Sequence, residues 1–180
     1  MRFMGIDPGS IVCGYGVIEK VGNNDFILLE YGVVEAKKRF DSLPDRLGLI
    51  FERLTQVIER TLPDEVSLEA TFYSKNAQSL IKLSHARGVA MLSANLRSIP
   101  VIEYSAKEVK RSVTGNGNAS KEQVGFMVKS MLSIKEDHAF FDATDALAVA
   151  LCHGMKRSSP KQSAKTWASF ISENPNRVKR

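Results

Sequence analysis

Four carboxylates lie within or at the end of apolar segments, where charged residues are not expected. Asp7 ends the run MRFMGI and opens an Asp-Pro-Gly turn, Glu69 ends VSL, and Asp142 and Asp145 lie within AFFDATDALAVAL. Burying a carboxylate is costly unless a cation or a hydrogen-bond donor offsets it. Hard cations such as Mg²⁺ take oxygen ligands, and two of them can clamp the attacking and leaving oxygens of a phosphoryl displacement. The four acids therefore predict the metal site of a metal-dependent nuclease.

Each acid also has an ordinary structural explanation. Asp7 could cap its turn, and Glu69 could be an exposed residue at a strand end. Asp142 and Asp145 are three residues apart and share a helix face near the predicted helix start, where the helix dipole favours anions. Alanines at 143, 146, 148 and 150 would let this helix approach a sheet closely, which would bring both acids within reach of Asp7.

The elements that must position these acids follow from the hydrophobic pattern. Residues 2–7, 14–20 and 26–35 are predicted to form three strands joined by short turns, which favours an antiparallel meander. Apolar residues at helical spacing from 47 to 58 predict an amphipathic helix. Two more strands are predicted at 65–69 and 100–104, and four more helices at 76–97, 106–113, 120–132 and 138–155. This order predicts an α/β fold, a mixed five-stranded sheet with helices on both faces.

Composition limits the classes of protein that fit. With 180 residues and 43% hydrophobic content, the chain can bury a sizeable core as one domain, which we place at residues 1–156. No apolar run is long enough for a membrane span, and the N-terminus does not resemble a signal peptide, so we expect a cytoplasmic protein. Cys13 and Cys152 form no CxxC pair, which argues against a zinc site or a disulfide framework.

The positive charge is unevenly distributed. The formal net charge is +5. Residues 157–180 carry all of this excess, and we expect them to form a basic, flexible tail with one apolar group, Trp167, Phe170 and Ile171. Between residues 75 and 121 there are eight basic and two acidic residues. This stretch suggests a face that binds a polyanion, although the bases could also be spread around solvated helices.

Several motifs together resemble the RuvC family of bacterial Holliday-junction resolvases. They are GIDPGS with GYGVI, Glu69 followed by Phe72 and KNAQSLIKLSHARGVA, the stretch EYSAKEVKRSVTGNGNASKEQV, and DATDALAVA, in colinear order over about residues 1–155. The resemblance implies an RNase H-like fold and a homodimer that makes paired nicks in four-way DNA junctions during recombination and repair. It also implies the branch-migration proteins RuvA and RuvB as partners.

The resemblance assigns roles to individual residues. Asp7, Glu69, Asp142 and Asp145 would hold two Mg²⁺ ions, for which Mn²⁺ could substitute. One ion would activate water for in-line attack, and the other would stabilise the leaving 3′ oxygen. The lysines that the family uses for cleavage correspond to Lys110 and Lys121, which would offset charge that builds on the phosphate.

Further DNA contacts are expected from the loop after Glu69 and from the basic stretch. Phe72 could stack on an unpaired base at the branch point, as could Tyr73, although loop aromatics also commonly cover the edge of a core. Lys75 and Arg87 are candidate phosphate contacts. The residue after Glu69 is Ala70, where the family often has Gln, so substrate preference could differ here. A role for His138 at the site is left open beside an exposed position in the first helical turn.

Two other classes of protein share part of this pattern. Actin-like ATPases and sugar kinases also open with a strand, an acid and a glycine turn, but 180 residues cannot supply their two domains and a second glycine-rich phosphate loop is absent. A module that binds branched DNA without cutting it would need no metal site. The presence of all four acids argues against that alternative.

Overall fold

The computed structural model describes residues 1–22, 25–70, 76–135 and 141–158, which contain a mixed five-stranded sheet in the order β3-β2-β1-β4-β5. The strands are β1 (Arg2–Asp7), β2 (Cys13–Lys20), β3 (Phe26–Val34), β4 (Glu65–Ala70) and β5 (Val101–Ser105). Strands β1, β2 and β3 form an antiparallel meander, whereas β4 and β5 continue the sheet in parallel with β1. The predicted strands and their pairing are confirmed.

Six helices accompany the sheet within the described residues. They are α1 (Ala36–Arg39), α2 (Leu43–Thr61), α3 (Ala77–Asn95), α4 (Ala106–Thr114), α5 (Lys121–Met131) and α6 (Phe141–Ser158). The sequence did not predict α1, which is a single turn and too short to show a helical period. Helix α6 continues past the domain boundary predicted after residue 156, so Arg157 belongs to this helix and not to the basic tail. The rest of that tail lies outside the described residues.

Alternation along the strands divides the core into two layers. Met4 and Ile6 of β1 are fully buried in one apolar cluster with residues of α2 and α3. Phe3 points to the opposite face, into a second cluster with α4, α5 and α6. The predicted helices on both faces of the sheet are therefore confirmed. Cys13 lies in the first cluster and Cys152 in the second, and both are buried free thiols.

Three glycines let α6 lie unusually close to the sheet. Gly5 of β1 and Gly16 of β2 are register partners on the face that α6 covers. A Cβ at Gly5 would collide with the carbonyl oxygen of Ala146 and come within 2.7 Å of the Ala150 nitrogen. A Cβ at Gly14 would collide with the carbonyl oxygen of Asp142. The backbone of α6 thus occupies the space that side chains on β1 and β2 would otherwise fill.

The other end of α6 is held by a buried polar network. The carboxylate of Glu65 on β4 accepts hydrogen bonds from His153 (2.6 Å) and from both Nε and Nη2 of Arg157 (3.1 and 2.6 Å). The second ring nitrogen of His153 lies 2.7 Å from the Tyr104 hydroxyl. Burial lowers the pKa of His153, which favours the neutral ring. A neutral His153 can donate a hydrogen bond from Nε2 to Glu65 and accept one at Nδ1 from the Tyr104 hydroxyl. Both ring nitrogens then have a hydrogen-bond partner.

None of the helices in the described part of the chain combines the length and apolar character needed to cross a bilayer.

We expect Gly5→Ala to destabilise the protein by about 3 kcal/mol or more, because the added methyl group meets backbone atoms of α6 that cannot move independently. Gly48→Ala is the matched control: a Cβ at Gly48, in α2, has no atom within 4 Å, so we expect a gain of about 0.5–1 kcal/mol. Urea unfolding of both variants measures this. A Gly5→Ala protein as stable as wild type would contradict the close helix packing.

Candidate active site

Asp7 and Glu69 end neighbouring parallel strands on the same face of the sheet. Ile6 of β1 pairs with Leu68 of β4, so the next residue of each strand is one of the two acids. Adjacent strands lie about 4.8 Å apart. Alternate residues of β4 face α6, since Glu65 bonds His153 and the Ser67 hydroxyl lies 3.4 Å from the Val149 carbonyl oxygen. Glu69 continues this alternation and therefore faces α6 as well.

The two acids of α6 reach the same edge because of the glycine contacts. Gly14 is the register partner of Asp7, and the space beside its Cα is occupied by the Asp142 carbonyl. Asp145 lies one helical turn further along α6, with 24% of its side chain exposed. Both aspartates raise the pKa of Asp7 by charge repulsion, which places their carboxylates near it. The four predicted acids are thus brought together.

The electrostatics of the cluster leave Asp7 in need of a compensating charge. Burial raises the pKa of Asp7 to about 7, and repulsion from Asp145, Asp142 and Glu69 adds to the effect. Burial, followed by Asp145, also raises the pKa of Glu69. Lys121 lowers both of these pKa values, but it does not cancel the effect of burial and repulsion.

Two lysines face the acids from the neighbouring helices. Lys121 donates from Nζ to Oδ2 of Asp145 at 2.9 Å, and Lys110 lowers the pKa of Glu69. The starts of both helices are set by capping boxes. Ser105 is the N-cap of α4 and exchanges hydrogen bonds with Glu108 in its first turn. Ser120 and Gln123 do the same at the start of α5, which places Lys121 at the first position of that helix.

The acids and lysines line one cleft of about 260 Å³. Its polar lining consists of Asp7, Glu69, Asp145, Lys110 and Lys121. Its apolar walls are Ala106, Val109, Val124 and Ala148. Asp142 lies beside this cleft, next to Gly14. A cleft lined by both carboxylates and lysines could accept a phosphate group together with a cation.

The donor set fits a divalent cation. All four candidate ligands are carboxylates, which are the hard oxygen donors that Mg²⁺ and Mn²⁺ prefer. Burial, followed by repulsion from the neighbouring carboxylates, raises the pKa of Asp7, and a bound cation would offset both effects. Within the described residues, however, no three acids converge closely enough to hold one ion as they stand.

The remaining predicted contacts divide into two groups. Phe72, Tyr73, Lys75 and His138 lie outside the described residues. Arg87 is described, on α3, where its guanidinium pairs with Glu103 at 2.5 Å and its Nε is buried without a hydrogen-bond partner. The cleft lining does not include Arg87.

Sequence reasoning missed the residues that support Asp7. Gly5, Gly14 and Gly16 alternate along two strands, and that period of two was a usable signal for one face covered by a close helix. Arg46 is buried, and its Nη1 donates to the Ser10 carbonyl at 3.1 Å, which ties α2 to the turn after Asp7. An arginine in the first turns of an amphipathic helix carries no sequence signal for this role.

Three comparisons with known proteins point to the same family. A family model described as "Crossover junction endodeoxyribonuclease RuvC" matches residues 3–153. The protein of that name from Porphyromonas gingivalis is 44% identical, over 98% of this chain and 96% of its own length. The one from Salinibacter ruber is also 44% identical, over 99% of both chains. A structure of Thermus thermophilus RuvC in complex with Holliday junction substrate superposes with a TM-score of 0.82 at 32% identity, covering 88% of this chain and 95% of that one.

We expect Asp7→Asn to stabilise the metal-free protein at pH 8 by about 1–3 kcal/mol. The pKa of Asp7 rises from 3.8 to about 7 on folding, so the folded state binds a proton that the unfolded chain has already released. This contribution to stability is complete below pH 4 and is lost as the pH rises through 7. The amide carries no charge and avoids that loss.

Thermal unfolding in EDTA at pH 5 and pH 8 measures the difference, which should be larger at pH 8. Asp25→Asn is the control, because Asp25 is exposed and precedes β3 at the end of the sheet opposite Asp7. Equal destabilisation by both substitutions would contradict a repulsive site around Asp7.

Proposed function

This chain belongs to the RuvC family of crossover junction endodeoxyribonucleases, and we propose that Asp7, Glu69, Asp142 and Asp145, with Lys110 and Lys121, form its cutting site. The chain is an RNase H-like nuclease that resolves four-way DNA junctions. The observation that carries the assignment of the site is the single cleft in which strand acids, a helix acid and two lysines meet.

The acids hold the metal in the proposed mechanism. They bind Mg²⁺, with two ions per site and Mn²⁺ as a substitute. Bound there, Mg²⁺ supplies Lewis-acid stabilisation of the phosphoryl oxygens. Because the pKa of Asp7 is raised to about 7, Asp7 must release a proton when it becomes a ligand at lower pH. Adjacent parallel strands hold the backbones of Asp7 and Glu69 side by side.

The lysines act on the phosphate. Lys121 and Lys110 project into the cleft from the first turn of α5 and the middle of α4. An ammonium group beside the scissile phosphate offsets negative charge that develops in the transition state.

We further propose that the enzyme is a homodimer joined through α3. A junction has near two-fold symmetry, and paired nicks need two equivalent sites related by a two-fold axis. Helix α3 leaves large apolar side chains exposed, including Ile81 (56%) and Leu92 (48%), and Leu96 (62%) follows at its end. A groove of about 530 Å³ runs along this face between α2 and α3, lined by Leu47, Leu80, Ile81, Val89 and Leu92, among others. A second copy would bury this surface.

Other partners and contacts are proposed from the family alone. They are the RuvA and RuvB proteins, action in the cytoplasm, and DNA contacts by Phe72, Tyr73, Lys75 and Arg87. Removal of the basic residues beyond Ser158 should weaken non-specific duplex binding more than cleavage at saturating junction, because phosphate contacts act through counterion release.

We expect Asp7→Asn to reduce junction cleavage at least about a hundredfold, equivalent to roughly 3 kcal/mol, while junction binding persists. Cleavage is measured with a synthetic four-way junction in Mg²⁺ and in Mn²⁺. Binding is measured in Ca²⁺, whose longer and more flexible coordination should support binding but little nicking. Asp25→Asn should cut at the wild-type rate. Asp7→Asn activity within tenfold of wild type would refute the assigned role of Asp7.

Ile81→Glu should shift the protein from dimer to monomer, because a charge in the centre of an apolar interface must be desolvated on association. Ile27→Glu is the matched control: Ile27 has similar exposure, 51%, but lies on β3. Sedimentation equilibrium of both variants measures the effect. If Ile81→Glu dimerises as tightly as wild type, α3 is not the interface.

A further inference from the structure

A second cleft, lined mainly by basic side chains, lies on the face of the sheet opposite α6. It is enclosed by β2, β3, α1 and α2, and its volume is about 570 Å³, larger than the 260 Å³ of the cleft at Asp7. Four cationic side chains line it, Lys38, Arg39, Arg53 and Arg60, with one carboxylate, Glu35. We call it the α1–α2 cleft. It shares no lining residue with the cleft at Asp7.

Carboxylates offset only half of this positive charge. Lys38 pairs with Glu35 at 2.6 Å, and Arg60 forms a two-point ion pair with Glu30 on β3. Arg53 donates to the neutral amide oxygen of Gln56 at 3.1 Å. Arg39 has no hydrogen-bond or ion-pair partner in the described part of the chain. Two guanidinium groups are therefore available to bind an anion.

The spacing of the cations fits an extended anion better than a single phosphate. Arg53 lies near the middle of α2. Arg39 lies on a separate element, α1. Groups that are spread along a wall in this way match a polymer with regularly repeated charges, whereas a free phosphate would need them to converge.

The α1–α2 cleft opens at the same edge of the sheet as Asp7. Asp7 pairs with Gly14, and Gly14 pairs with Val33, a lining residue, so Val33 is two strand spacings or about 10 Å from Asp7. The Lys37 backbone nitrogen donates to the Ile11 carbonyl at 3.1 Å, which ties α1 to the turn that follows Asp7. A duplex that crosses this edge, with a major groove alone about 12 Å wide, can meet both clefts.

We propose that the α1–α2 cleft binds the phosphate backbone of a duplex arm of the junction whose scissile phosphate lies at Asp7. Arg39 and Arg53 are its principal phosphate ligands, since they are the two cations that no carboxylate offsets. The contact carries no sequence information and positions the arm. This inference rests on the proposed cutting site, and it adds a second point of attachment on the opposite face of the sheet.

The test is the salt dependence of junction binding by the double variant Arg39→Gln/Arg53→Gln. Removing one phosphate contact should reduce the slope of log K against log salt by about 0.9, so we expect the double variant to reduce it by roughly 2. Lys129→Gln/Lys135→Gln is the control with the same change in charge, because both lysines lie near or beyond the end of α5, far from Lys121. This control variant should change the slope by less than about 0.9, the value expected for one phosphate contact. Unaltered thermal midpoints verify folding.

A second measurement locates the contact on the DNA. Single neutral methylphosphonates are placed in the arm within about 20 Å of the cut, or about six nucleotides at 3.4 Å each. At least one of these methylphosphonates should weaken junction binding by the wild type severalfold. The same methylphosphonate should not weaken binding by the Arg39→Gln variant any further. The proposal would be overturned if both double variants had equal slopes of log K against log salt. It would also be overturned if the methylphosphonate and Arg39→Gln weakened binding additively at every position tested.

Failure of the proposed cutting site and failure of the α1–α2 cleft as a DNA contact give different results. Asp7→Asn protein that still cuts the junction in Mg²⁺ at a rate within tenfold of wild type would refute the proposed cutting site. Wild-type protein that cuts, with a salt slope unaffected by the arginine substitutions, would refute only the α1–α2 cleft as a DNA contact. Binding of the wild type to an acidic polypeptide such as polyglutamate in preference to duplex DNA would also overturn the proposal, because it would assign the cleft to a protein partner.

Discussion

The close packing of α6 on β1 and β2 is the contact on which the rest of the site depends. Glycines at 5, 14 and 16 remove the side chains that would separate a helix from a sheet, and the backbone of α6 enters the space they leave. The carbonyl of Asp142 touches Gly14, the register partner of Asp7. Larger side chains at these positions would move α6 outward and carry its acids away from Asp7. The geometry of the proposed site is therefore a consequence of backbone packing.

This packing opposes the electrostatic preference of the site. Four carboxylates that would repel each other are held at one edge by an apolar core that extends through both layers, and burial raises the pKa of Asp7 to about 7. The network of Glu65, His153 and Arg157 secures the far end of α6. The protein thus keeps an unfavourable arrangement at one end of a helix and stabilises the other. A cation bound at the proposed site would relieve the repulsion among the acids, and metal affinity would then be linked to folding stability.

The sheet topology places different groups of functional candidates on the two faces of the molecule. Parallel strands β1 and β4 end at the same edge and carry Asp7 and Glu69 there, while α4 and α5 bring Lys110 and Lys121 over them. The opposite face carries the apolar groove of α3 and the basic α1–α2 cleft. Cutting, association of two copies and attachment of a duplex arm can therefore use separate surfaces of one small domain.

The sequence by itself determined the elements and the identity of the acids. Periods of two and 3.6 residues are local, so the strands, the long helices and the mixed sheet could be predicted, and apolar runs interrupted by Asp7, Glu69, Asp142 and Asp145 marked these acids. The single turn α1 was too short to show a period. Only the tertiary structure decided which groups meet. The bond of Lys121 to Asp145 and the pairing of Arg87 with Glu103 join residues distant in sequence, and no local pattern encodes which distant partner a charged side chain will face.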